Sequence, residues 1–226
     1  MSRLRVGLVD SGLDHAALPA AVASCAFRVA GAHPGVVCAA EPQLDRLGHG
    51  SAVARVLLQR APEVALFNAQ VFDDQLTCSS SQVVAALNWL ISEDVRLINL
   101  SFGLLRDCPE LAGACARALG QGIVLVAASP ARGAPVFPAS YPGVIRATGD
   151  ARCAPGELSR LDSSQADFGA CVRADSSGPA GASIGCVHVT AAVAQYLLME
   201  PDASLEQIHT HLAAVARFQG PEHRQH

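Results

Sequence analysis

The chain contains no lysine, and all sixteen of its basic residues are arginine. This excludes chemistries that need a deprotonable or phosphate-capping amine: a Ser/Lys dyad, a Schiff-base lysine and the lysine of a phosphate-binding loop. Charge is sparse, at 16% of residues, and sums to −4, so there is no basic field and no nucleic-acid partner is expected. No apolar run reaches bilayer length, and the start, MSRLRVGLVDSG, has no signal segment or cleavage site. The expectation is a cytoplasmic protein without membrane contact. Eight cysteines (Cys25, Cys38, Cys78, Cys108, Cys115, Cys153, Cys171 and Cys186) are scattered without a CxxC pair or a Cys/His cluster. That argues against zinc and for reduced, mostly buried thiols, and no metal or other cofactor is expected. Local Cys108/Cys115 and Cys153/Cys171 bridges remain the alternative under oxidation.

What is present is a chain of 226 residues, half of them hydrophobic, enough for one core and one domain across residues 1–226. Apolar runs alternate with longer amphipathic stretches, which predicts an α/β fold: a parallel sheet with helices on both faces. Strands are expected over Leu4–Asp10, Val64–Val71, Arg96–Leu100, Ile123–Ala128 and Gly143–Thr148, with a short one near Phe168–Arg173. Helices are expected over His49–Gln59, Ser81–Ser92, Pro109–Gly120, Ser183–Leu198 and Ser204–Ala216. Start signals include Ser79–Ser81, Asp107 before Pro109, and Ser204 with Glu206. The tail GPEHRQH reads as polar and frayed.

Three segments carry chemistry. Asp10 ends an apolar strand in VGLVDSGLDHAAL, which would put its carboxylate at the carboxyl edge of the sheet, although an Asp there also serves as a turn residue. His49 sits between two glycines at a helix start in GHGSAVARVL; the plain alternative is a histidine N-cap. Ser183 opens a helix of small residues in GASIGCVHVTAA, where its own amide would point outward, although serine is also a common N-cap. Cys186, one turn on, suits a packed thiol better than a nucleophile.

In the order Asp, His, Ser, these segments resemble the signatures of the subtilisin-like serine proteases. The last is similar to the family pattern G-T-S-M-A-S-P-H-V: Gly181, Ser183, His188 and Val189 agree, while Ala182, Cys186 and Val187 depart. INLSFG at Ile98–Gly103, LVAAS at Leu125–Ser129 and FPASYPGVIRATG at Phe137–Gly149 resemble further family segments. The resemblance implies a three-layer subtilisin-like fold and a catalytic triad of Asp10, His49 and Ser183. It also implies a protein or peptide substrate held as an extended strand on Ser101, Phe102 and Gly103, with Ala127 and Ala128 in the facing wall. Phe102 and Phe137 are candidates to line a specificity pocket, and His188 looks structural.

Departures from the pattern bear on rate. Where the family wall continues into a Gly-Asn pair that donates to the oxyanion, this alignment has Ser129 and Pro130, and proline has no donor. The family threonine before the serine is Ala182. The Ser183 amide, with Ser129 or Arg132 as substitute donor, forms the candidate oxyanion site. Only nine residues precede Asp10 where secreted members carry a propeptide, and RAPEVALF runs from helix to strand without the family's calcium insertion. Asp73 and Asp74 read as solvated loop residues rather than ligands. The expectation is a slow endopeptidase cleaving one dedicated protein or leader peptide, with maturation-complex partners. Its size and missing parts are similar to the small subtilisin-like proteases that mature the cross-linked small subunit of quinohemoprotein amine dehydrogenase. A scaffold that has lost useful catalysis is the other reading, favoured by Pro130 and Ala182 and opposed by the retained triad segments.

Overall fold

Side-chain alternation at a period of two divides the central strands between two cores. In β1 (Arg5–Asp10), Val6 and Leu8 enter one core and Val9 the other; in β6 (Val124–Ala128), Val124, Val126 and Ala128 enter the first and Leu125 and Ala127 the second. The first core is closed by α1 (His49–Arg60), α4 (Ala182–Met199) and α5 (Leu205–Val215), the second by α2 (Ser80–Ser92) and α3 (Pro109–Gly120). The result is the three-layer α/β arrangement expected, seen in a computed structural model that describes residues 3–17, 19, 21–30, 36–175 and 178–222.

The sheet holds ten strands among the described residues. Their order is β3 (Val37–Ala40), β2 (Ala21–Val29), β4 (Ala65–Gln70), β1, β5 (Leu97–Leu100), β6, β7 (Ile145–Gly149), β9 (Phe168–Ala170), β8 (Leu158–Arg160) and β10 (Phe218–Gln219). The chain lays β4 on one side of β1 and β5 on the other, so the order reverses around β1 and leaves its carboxyl end at a crevice. Asp10 is the last residue of that strand.

The expected central strands and all five helices are present with ends shifted by a residue or two. The sheet is mixed rather than wholly parallel, because β3 pairs antiparallel with β2 and β8 with β9. The short strand expected near Phe168–Arg173 is β9, whereas β2, β3, β8 and β10 were not expected. They lie half in water or are only two or three residues long, so no apolar run marks them. Helix starts also differ in detail. Ser79 and Ser204 form capping boxes with Gln82 and Gln207, whereas α3 starts at Cys108 without a side-chain cap and Asp107 instead accepts a bond from Tyr141. Asp73 and Asp74 are paired with Arg28 and Arg46. His223 and His226 of the tail lie outside the described residues.

By length and composition α4 could cross a bilayer, contrary to the expectation that no segment could; 61% of it is buried inside the fold, so here it serves as the central core helix. It lies close enough to β7 that a Cβ built on Gly185 would fall on the Thr148 carbonyl. Gly185→Ala is therefore expected to lower stability by about 1–3 kcal/mol, read as a reduced denaturation midpoint with unchanged m-value.

Candidate active site

The carboxyl end of β1 turns sharply through Ser11 and Gly12, and α1 begins against that turn. A Cβ on Gly50 would strike the Gly12 carbonyl and approach Asp10, so only glycine lets the helix start come this close. Gly48, in the left-handed region at φ 70°, is the N-cap, and His49 is the first helical residue rather than a cap. This entry aims the imidazole at β1. His49 Nδ1 lies 2.7 Å from Asp10 Oδ1, which also accepts the Ser11 amide at 2.8 Å. Asp10 is fully buried and His49 is 8% exposed.

On the other side, His49 Nε2 lies 2.9 Å from Ser183 Oγ. Ser183 is the second residue of α4, after the Gly181 N-cap, so its amide belongs to the first turn and has no partner within the helix. The sequence-predicted triad residues, 39 and 134 positions apart, are thus brought into one line of hydrogen bonds. Such a line can draw the proton from a serine hydroxyl and stabilise the imidazolium formed.

Two supporting groups were not singled out from sequence. Asp45 accepts five hydrogen bonds: from the Ser11 hydroxyl and the Leu47 and Gly48 amides on Oδ1, and from the Ser51 amide and hydroxyl on Oδ2. The Ser11 hydroxyl in turn accepts the Gly50 amide at 2.9 Å. Asp45 therefore ties the Asp10 turn to the His49 helix start. Asn99 in β5 does the same for α4: its Nδ2 donates to Ser101 Oγ at 2.7 Å, and its Oδ1 accepts Thr190 Oγ1 at 2.8 Å. Ser101 Oγ then donates to the Ser183 carbonyl at 3.2 Å. Each is one polar residue in an ordinary loop or strand, and no local signal distinguishes it.

Burial pushes the His49 pKa down, but the hydrogen bond and charge of Asp10, aided by the charge of Asp45, outweigh it and hold the pKa above the ordinary 6.5. His188 goes the other way. Burial, reinforced by Arg60, depresses its pKa despite a contact 3.3 Å from the Arg173 carbonyl, so it stays neutral inside α4. Burial raises the Cys186 thiol far out of the reactive range; the sulfur is fully buried 3.4 Å from Asn99 Oδ1 and is a packed thiol.

A cavity of 480 Å³ opens beside Ser183, lined by Ser101, Phe102, Gly103, Ala128, Ser129, Pro130, Arg132 and Val136 among others. The structure brings the expected substrate-contact residues together there, with one correction. Ala127 is wholly buried in the second core, because alternation along β6 turns it away from the wall that Ala128 presents. Phe137 also lies elsewhere, its backbone paired with Leu104 and its ring against Tyr141. Phe102 lines this cavity and a second of 560 Å³ that continues past Leu76 and Leu104. The Ser129 amide is spent on the Ala147 carbonyl at 2.8 Å, leaving its hydroxyl as donor, while Arg132 is exposed at the rim. Among the described residues there is no group of three His, Cys, Asp or Glu able to hold a metal, and all eight cysteines are free thiols.

The raised His49 pKa sets the sign of the pH response. Ser183 is activated only when His49 is neutral, so its labelling by a fluorophosphonate should rise with pH through a midpoint above 6.5. Asp45→Asn removes a charge that favours the imidazolium and should move that midpoint lower. The check is labelling rate against pH for both proteins; coincident midpoints would show that Asp45 does not act on the base.

Comparisons with known proteins agree with this geometry. The Peptidase_S8 subtilase family profile matches residues 2–225. Subtilisin from Bacillus pumilus is 26% identical over 97% of this chain and 86% of its own. Other relatives are spanned less fully. The subtilisin-like protease het-Q2 of Podospora anserina is 31% identical over 60% of this chain and 38% of its own, and subtilisin E of Bacillus subtilis 26% over 64% and 40%. A solved cold-adapted subtilisin-like serine proteinase has the same fold, with a TM-score of 0.70 at 18% identity over 93% of this chain and 81% of that one. With a fold, a line of Asp, His and Ser, and a family profile that all agree, the chain belongs to the subtilase family of serine endopeptidases.

Proposed function

We propose that this subtilase is a slow endopeptidase that cleaves one dedicated protein or leader segment during maturation of a modified peptide or enzyme subunit, in a reducing compartment. The observation that carries the reading is an intact 2.9 Å His49–Ser183 bond beside a cavity wall containing Pro130, a residue without a donor that the resemblance sets against the family's donor asparagine. The nucleophile is equipped, but the oxyanion site has lost one donor.

The substrate lies extended against residues 101–103. Phe102 and Gly103 follow the end of β5 and have no backbone partner among the described residues, so their N–H and C=O groups are open to a peptide strand. Ser183 Oγ attacks the scissile carbonyl while His49 Nε2 takes its proton, and Asp10 stabilises the imidazolium through Nδ1. The Ser183 amide receives the developing oxyanion. His49 then protonates the leaving amine, and the acyl-enzyme is hydrolysed by water activated in the same way.

Loss of one oxyanion donor typically costs about 10²- to 10³-fold in turnover, which suits a processing enzyme and not a digestive one. Eight free thiols in the fold support a reducing environment. Partner proteins of a maturation complex would then supply the specificity that a weak catalyst needs.

The test has two parts. A fluorophosphonate is expected to label the wild type and not Ser183→Ala; a folded wild type that stays unlabelled would point to a binding scaffold instead. Co-expression with candidate substrates, followed by intact-mass spectrometry, is expected to show one truncation that requires Ser183. Indiscriminate digestion of casein at rates typical of degradative proteases would end the dedicated-processing reading.

A further inference from the structure

We propose that Arg132 and Ser129 make the cavity beside Ser183 a reader of an acidic side chain, so that cleavage follows glutamate or aspartate; this rests on Ser183 being the nucleophile. Arg132 is the one charged residue lining that 480 Å³ cavity, and no carboxylate shares the lining. Seven other arginines (Arg28, Arg46, Arg55, Arg146, Arg152, Arg160 and Arg217) each pair with an Asp or Glu of the chain. Arg132, exposed at the rim where it lines this cavity and the neighbouring one, makes no ion pair or hydrogen bond among the described residues, so its five donors are unassigned.

The cavity on its other side is lined by two carboxylates, Asp150 and Glu222, and neither forms an ion pair with Arg132. Asp150 there is held by two nitrogens of Arg152, which leaves it committed. Inside the cavity, the Ser129 hydroxyl is a second donor without a partner, in a residue only 3% exposed. The remaining contacts from Phe102, Ala128, Ala134 and Val136 are apolar and suit the methylene stem of the incoming residue.

These groups differ in how they treat a bound side chain. An apolar residue filling the cavity would strip water from a guanidinium and a hydroxyl without replacing their hydrogen bonds. A carboxylate would accept from both, and the planar guanidinium suits a two-point bond. A neutral amide of the same shape would accept less strongly and misplace two donors against Arg132. A hydrogen bond to a charged group contributes enough for a preference of about tenfold or more for Glu over Gln.

The experiment compares kcat/KM for matched fluorogenic peptides with Glu, Gln, Leu or Arg before the scissile bond. Glu should exceed Gln by about tenfold or more, the Glu/Gln ratio should fall toward one in Arg132→Ala, and Arg132→Glu should shift preference to Arg. A wild type that handles Gln or Leu as well as Glu overturns the proposal. So does an Arg132→Ala variant with an unchanged ratio, including an equal loss on all four peptides, which would make Arg132 an oxyanion donor instead. Binding keeps the two readings separate. Affinities of matched peptides ending in Glu or Gln are measured by fluorescence anisotropy on Ser183→Ala, where no turnover is needed. Equal affinities there overturn the pocket assignment whether or not the wild type labels with a fluorophosphonate, whereas tighter Glu binding without labelling removes only the catalytic reading.

Discussion

A carboxylate with no exposure to water is held at the end of β1, and most of the site exists to make that tolerable. Removing such an ion from solvent costs several kcal/mol unless it is bonded. Asp10 meets the Ser11 amide and the His49 ring at 2.8 and 2.7 Å, both on the same oxygen. The bond to His49 in turn raises the imidazole's affinity for a proton, which a general base must do as the serine hydroxyl gives its proton up. Everything nearby keeps those two groups within reach of each other: the bare backbone of Gly50 against Gly12, and the Asp45 carboxylate holding both loops.

The nucleophile depends on a different set of bonds. Asn99, buried in β5, holds Thr190 of α4 with its oxygen and Ser101 with its nitrogen, and Ser101 reaches the Ser183 carbonyl. The segment after β5 that lines the cavity beside Ser183 and the helix that carries the serine are thus joined through one amide. A fully satisfied buried network of this kind positions groups more sharply than packing alone. Ser183 is therefore registered against both His49 and the cavity wall.

Much of this was legible along the chain. Each of Asp10, His49 and Ser183 sits where a strand ends or a helix begins, and small residues flank each one. The central strands were readable because burial on both faces makes them nearly continuous apolar runs. β2 and β3 were not, since both are half solvated at the margin of the sheet and the pairing of β2 with β4 spans some forty residues. Asp45 and Asn99 were missed for a related reason: a lone polar residue acquires its role from partners distant in sequence. Ala127 shows the converse error, in which adjacency to the wall in sequence was read as membership of it.

Composition and local pattern by themselves determined the class of fold and the exclusion of lysine-based chemistry, because these follow from short-range periodicity and from residue type, while the choice of Asp10, His49 and Ser183 came from the resemblance of three short segments to one family. Tertiary structure alone decided which groups meet: that one aspartate bonds the His49 ring, that one asparagine ties the Ser183 helix to the strand beside it, and that Arg132 lies at the rim of the cavity without an ion pair among the described residues. Hydrogen bonds and ion pairs act over about 3 Å, whereas the residues that make them here are separated by tens to more than a hundred positions, and only the folded chain brings them within that range.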